Sequence, residues 1–126
     1  MNKRVISTSK APIAVGPYSQ AVEANGFLFV SGQLPVDATT GVFVEGGLRE
    51  QAVQVFKNVG YILEEAGYSF KNVVKSTVYL TDMKDFAVMN EIYATFYPEP
   101  YPARVAFEVV ALPKGAMLEV DVIASK

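Results

Sequence analysis

The chain has 126 residues, of which 51% are hydrophobic and 19% charged, and its formal net charge is −2. This length predicts one domain over residues 1–126, and the scattered Lys and Arg residues exclude the basic stripe that nucleic acids need. Cysteine and histidine are absent, which excludes disulfides, thiol nucleophiles, a histidine base and the usual metal sites. Nothing indicates secretion or a membrane span, so we expect a cytoplasmic protein.

The first half of the chain is predicted to form short strands joined by turns. The strands are predicted at 4–8, 20–24, 27–31 and 42–44. Asn25 and Gly26 predict a tight hairpin between the second and third strands, because both positions of such a turn favour a positive φ. Gly32 is expected to end the third strand.

The second half alternates helices with strands. From residue 48 the spacing of apolar residues changes to about 3.6 residues, which indicates an amphipathic helix that ends before Gly67. A second helix is predicted over 83–97, capped by Thr81-Asp82 and ended by Pro98. The strands of this half are predicted at 73–80, 104–111 and 117–124.

This order of elements predicts an α+β fold, a two-layer sandwich in which a single mixed β-sheet carries both helices on one face. The other face of the sheet is left uncovered, and in so apolar a chain we expect it to form an oligomer contact. In the last strand, Leu118 and Val120 are expected in the core, which places Glu119 on the uncovered face.

Arg104 is the one arginine in a strand whose other residues, apart from Glu108, are apolar. Because Val105 and Phe107 alternate with it, we expect those two side chains in the core and Arg104 on the same uncovered face as Glu119. A guanidinium fork matches a carboxylate, and a strand holds it rigidly. The residues alone leave two interpretations open: a site that binds a small acid and positions a water, or an ion pair that joins subunits.

The chain resembles the RidA family over nearly its whole length. The resemblance lies in motifs that occur in the family's order and spacing, namely Gly16–Ala21, Phe29–Gln33, Met89–Tyr93, Pro102–Arg104 and Leu118–Val120. It implies a chorismate-mutase-like homotrimer with clefts between subunits. It also implies hydrolysis of reactive 2-enamine and 2-imine acids, such as 2-aminoacrylate and 2-aminocrotonate, to 2-keto acids and ammonia without a cofactor.

Carried onto this chain, the resemblance implies that Arg104 holds the substrate carboxylate and that Glu119 positions the attacking water. The residues that would line the cleft are Tyr18, Ser31, Gly32, Asn90 and Ala106. Val105 and Ala106 stand where relatives often carry Ser and Cys, so we expect backbone groups at Ala106 to act in place of a thiol.

Three other functions are compatible with parts of the sequence. The same cleft would serve a regulatory or interaction module that binds a 2-keto acid without turnover. A ribonuclease is disfavoured because the chain is acidic and has neither histidine nor a basic aromatic platform for RNA. A chorismate mutase would need several cations around a dianion, whereas the arginines are only Arg4, Arg49 and Arg104.

Overall fold

The structure is a computed structural model that describes residues 2–126. Its strands and helices are β1 (Arg4–Ile6), β2 (Ala21–Ala24), β3 (Phe27–Gln33), β4 (Val36–Asp37), β5 (Val42–Phe43), α1 (Leu48–Glu65), β6 (Val73–Leu80), α2 (Phe86–Phe96), β7 (Ala103–Glu108) and β8 (Leu118–Ser125). Six strands form the main sheet in the order β1-β2-β3-β8-β6-β7. The β6–β7 pair is parallel and its other pairs are antiparallel, which confirms the predicted mixed sheet.

Local sequence signals set some of the element boundaries, but α2 begins at Phe86 after a 3-10 turn over Met83–Asp85 and not at the predicted residue 83. Asn25 and Gly26 have φ values of 54° and 79°, as the hairpin between β2 and β3 requires. Gly67 follows α1 with a φ of 84°. The strand β3, however, does not end at Gly32 but continues to Gln33 through a shift of register. The loop after β3 contains a second, two-stranded sheet of β4 and β5.

Both helices pack on the same face of the main sheet, and the core lies between the two layers. Phe56 of α1 and Leu28 and Val120 of the sheet are fully buried there. Each such side chain contributes about 1.5–3 kcal/mol through removal of apolar surface from water. Within residues 2–126, no helix is long and apolar enough to cross a membrane.

The face of the sheet opposite the helices is uncovered and apolar. Phe27, Phe29, Val105 and Phe107 on this face are 43%, 46%, 44% and 41% exposed. The prediction that Val105 and Phe107 lie in the core is therefore wrong. Since β7 is the edge strand of the sheet, its apolar side chains lie at the margin of the uncovered face rather than under a helix.

Candidate active site

Arg104 lies on the helix-covered face of the sheet, so the prediction that it lies on the uncovered face is wrong. The register of β7 on β6 aligns Arg104 with Ser76, which is completely buried on the helix side. Because β7 is the edge strand, the Arg104 side chain reaches the margin of the core and remains partly exposed. Its position is fixed by α2.

Three residues of α2 surround the Arg104 guanidinium. Phe86, Asn90 and Tyr93 follow the i, i+4, i+7 spacing that places side chains on one side of a helix. Arg104 Nη1 donates a hydrogen bond of 2.7 Å to Asn90 Oδ1. Arg104 Cζ lies 5.5 Å from the ring centroid of Phe86 and 4.8 Å from that of Tyr93.

A cavity of about 400 Å³ opens beside this arginine. Its lining residues are Asn90, Tyr93, Ala94, Tyr101, Pro102 and Arg104. Only one donor of the guanidinium is used in a side-chain hydrogen bond within residues 2–126, and a guanidinium carries five N–H donors. The cavity therefore offers a fixed cation with free donors, which suits a carboxylate.

Glu119 lies on the uncovered face, where its register neighbour on β6 is Tyr79. Burial raises the pKa of the half-buried Glu119 carboxyl, and the nearby Asp121 charge raises it further. Asp121 accepts a 2.7 Å hydrogen bond from the Tyr79 hydroxyl. A carboxylate with a raised pKa is a better proton acceptor, as general base catalysis requires.

Gly32 is in direct contact with the Glu119 carboxyl group. A Cβ at position 32 would overlap Glu119 Oε2 and would lie 2.9 Å from Glu119 Cδ. Gly32 is thus the residue in β3 whose lack of a side chain makes room for the carboxylate. The sequence prediction placed both residues at the site without anticipating this contact.

Tyr18 and Ser31 lie near Gly32 but differ in accessibility. Tyr18 is 52% exposed and, with Gly32 and Lys114, lines a second cavity of about 590 Å³. Ser31 Oγ donates a 2.6 Å hydrogen bond to the Ser19 carbonyl, so its hydroxyl proton already has an acceptor. The buried Gln20 amide donates to the Pro12 carbonyl at 2.7 Å and holds the loop in place.

The predicted site residues therefore form two separate groups within one chain. Arg104 and Asn90, with Ala106 on the same face of β7, form the first, and Tyr18, Ser31, Gly32 and Glu119 form the second. Arg104 and Glu119 lie on opposite faces of the sheet, so the prediction that they share one side is wrong.

The sequence did not predict Phe86, Tyr93 and Tyr101 as neighbours of Arg104 in the first group. The i, i+4, i+7 spacing around Asn90 would have indicated Phe86 and Tyr93 once Arg104 was placed on the helix face. Among residues 2–126, no cluster of three or more acidic side chains is arranged to hold a metal ion.

The fold and these two groups define a small two-layer α+β protein with a candidate carboxylate-binding arginine. The profile described as Endoribonuclease L-PSP matches residues 8–126, and the chain belongs to this family, which includes RidA. A mouse relative named 2-iminobutanoate/2-iminopropanoate deaminase is 51% identical over 122 residues, which cover 97% of this chain and 90% of that protein.

Two solved structures share the fold. RidA from the Antarctic bacterium Psychrobacter sp. PAMC 21119 has a TM-score of 0.94 and 49% identity, with 98% of this chain and 99% of that chain covered. Escherichia coli TdcF with bound serine has a TM-score of 0.93 and 40% identity, with 98% of each chain covered. These similarities confirm the sequence-based resemblance to the RidA family.

Proposed function

We propose that the protein is a cytoplasmic deaminase that hydrolyses reactive 2-imine and 2-enamine acids to 2-keto acids and ammonia, without a cofactor. The observation that carries the proposal is the Arg104 guanidinium held by Asn90 beside an open cavity. The name of the mouse relative supports this reaction. TdcF binds serine, which is also a small carboxylic acid.

In the proposed mechanism, Arg104 binds the substrate carboxylate and Glu119 orients a water molecule next to C2. An enamine substrate first takes up a proton at C3 and becomes an iminium ion. Glu119 accepts a proton as the water oxygen bonds to C2, which gives a carbinolamine. Glu119 then returns this proton to the nitrogen, the C–N bond breaks to release ammonia, and the carbinolamine hydroxyl loses its proton to solvent as the C=O bond of the 2-keto acid forms. Orientation and one proton relay are sufficient because a protonated imine carbon is already electrophilic.

The proposed site requires two copies of the chain. Arg104 and Glu119 lie on opposite faces of one sheet, so a single chain does not present both to one small molecule. We place Arg104 of one copy against Glu119 of the next copy, in the clefts of a homotrimer. The uncovered apolar face around Phe29, Val105 and Phe107 supports this assembly, because such a patch on a soluble protein marks a contact surface.

The remaining residues of the proposed cleft have secondary roles. Asn90 accepts from Arg104 through its oxygen, which leaves its amide N–H groups available to the substrate. Tyr18 and Ser31 shape the loop side of the cleft, and Gly32 makes room for Glu119. Backbone groups at Ala106, on the same face as Arg104, take the place of the side chain that relatives often carry there.

The reaction can be tested with purified protein added to a serine or threonine dehydratase and its amino acid. We expect faster appearance of pyruvate or 2-oxobutanoate than with the dehydratase alone. Arg104→Ala and Glu119→Gln should remove the acceleration. Arg49→Ala is the matched control, because Arg49 is exposed and its ion pair is a 3.5 Å contact with Glu91. No acceleration by the wild-type protein would refute the enzyme proposal.

The same experiment separates deamination from two other functions. Binding of 2-oxobutanoate without acceleration would indicate the regulatory or interaction module that binds a keto acid. The family description supplies the ribonuclease hypothesis, but the chain has no histidine and a net charge of −2. RNA cleavage that survives Arg104→Ala and repeated purification would restore that hypothesis.

A further inference from the structure

We propose that Tyr93 and Phe86 are positioning residues whose rings hold the Arg104 guanidinium in the plane that accepts a carboxylate, and thereby set the affinity for the acid. This inference rests on the proposed function in that it concerns the same arginine. It assigns a role to two aromatic residues that touch Arg104 and not the reacting atoms.

Tyr93 is held rigidly beneath the arginine. It is 5% exposed, and its ring stacks on Tyr97 with a centroid distance of 4.0 Å and an interplanar angle of 20°. Phe56 packs edge-on against it at 5.7 Å. With two neighbouring rings fixing it, the Tyr93 ring presents a stationary surface to Arg104 Cζ, which lies 4.8 Å from its centroid.

Side chains from three successive turns of α2 restrict the orientation of the Arg104 guanidinium. Asn90 Oδ1 accepts from Nη1 and so fixes one end of the planar group. A hydrogen bond at one end still permits rotation about that contact, whereas the rings of Phe86 and Tyr93 restrict the tilt of the plane. A guanidinium stacks on aromatic faces and is weakly hydrated, so this environment keeps its free N–H edge in one orientation.

The ring of Tyr93, rather than its hydroxyl, carries this role. Tyr93 Oη is buried and makes no hydrogen bond within residues 2–126. Burial raises the pKa of Tyr93, so the phenol stays neutral near pH 7. Removing the hydroxyl therefore leaves the surface under Arg104 intact, whereas removing the ring does not.

The test compares Tyr93→Leu and Tyr93→Phe with Tyr97→Leu. Tyr97 is the matched control because its ring belongs to the same buried stack, whereas the rings that Arg104 Cζ contacts are those of Phe86 and Tyr93. The measurements are the Kd for 2-oxobutanoate and for its uncharged methyl ester by calorimetry or NMR titration, KM and kcat in the dehydratase assay, and the melting temperature.

We expect Tyr93→Leu to weaken 2-oxobutanoate binding by about 3- to 30-fold and to raise KM more than it lowers kcat. Ester binding should not change. Tyr93→Phe should stay within about twofold of wild type. Tyr97→Leu should lower the melting temperature as Tyr93→Leu does, with a smaller effect on Kd. Phe86→Leu provides a second test if Tyr93→Leu does not fold, and it should weaken binding in the same direction.

Equal changes in Kd for Tyr93→Leu and Tyr97→Leu would overturn the inference, as would equal losses for Tyr93→Phe and Tyr93→Leu or an unchanged Kd in Phe86→Leu. A wild-type protein that does not bind 2-oxobutanoate also overturns it. Wild-type binding without turnover, combined with the expected differences in Kd, supports the inference and refutes the proposed deaminase reaction. Failure of this inference and failure of the proposed deaminase reaction are therefore distinguishable.

Discussion

Replacing Gly32 by Ala should displace the Glu119 carboxyl group while leaving the fold intact. The new Cβ would lie 2.9 Å from Glu119 Cδ, whereas carbon atoms in contact are separated by about 3.5–4.0 Å. The carboxyl carbon must therefore move by at least about 0.6–1.1 Å, because the new Cβ overlaps Glu119 Oε2 more severely than Cδ. The clash involves the end of a flexible side chain, so we expect the loss of stability to be small.

A displacement of this size should reduce kcat/KM in the dehydratase assay by about 10- to 100-fold. This corresponds to an increase of about 1.4–2.7 kcal/mol in the activation free energy. Gly47→Ala is the control, because a Cβ there would meet no atom within 4 Å. Unchanged activity in Gly32→Ala, or an equal loss in Gly47→Ala, would refute this reasoning.

Three further predictions concern charge and stability. Burial raises the pKa of Glu119, so the ionised carboxylate destabilises the folded state at pH 8, whereas the protonated form at pH 4 does not. Glu119→Gln should therefore raise the melting temperature at pH 8 but not at pH 4. Equal shifts at both pH values would contradict this prediction. Asp121→Asn removes a like charge and should move the acidic limb of the kcat/KM profile to lower pH, and an unmoved limb would argue against Glu119 as the base. Tyr68→Phe removes the hydroxyl that donates to Glu23 at 2.6 Å, and it should lower the free energy of unfolding, measured in urea, by about 1–2 kcal/mol. Tyr61→Phe should leave the free energy of unfolding unchanged.

Strands and helices were predictable where neighbouring residues in the sequence specify them. The β-branched run of β6 matches residues 73–80, and the apolar–charged alternation of β8 correctly placed Glu119 opposite the helices. In β7 both faces carry apolar residues, so alternation shows that Arg104 and Val105 point in opposite directions but not which of them meets a helix. The pairing of Arg104 with the buried Ser76 decides this, and a contact between distant segments is not visible in a local pattern.

The candidate site was likewise predictable where it rests on local motifs and not where it rests on contacts between distant segments. Motif resemblance identified Arg104, Glu119 and Gly32 as residues of interest, but their geometry depends on strand pairing. The contact of Gly32 with Glu119 follows from the pairing of β3 with β8. The aromatic surroundings of Arg104 follow from the packing of α2 beside the edge strand.

Subunit mixing is the most direct test of a site shared between copies. Arg104→Ala and Glu119→Gln proteins, each inactive alone, would be unfolded together at equal concentrations, refolded and assayed with the dehydratase. If each site takes Arg104 from one chain and Glu119 from its neighbour, random trimers should regain about a quarter of wild-type activity, because that fraction of sites pairs two intact residues. Mixed oligomers that form but remain inactive would contradict the shared site.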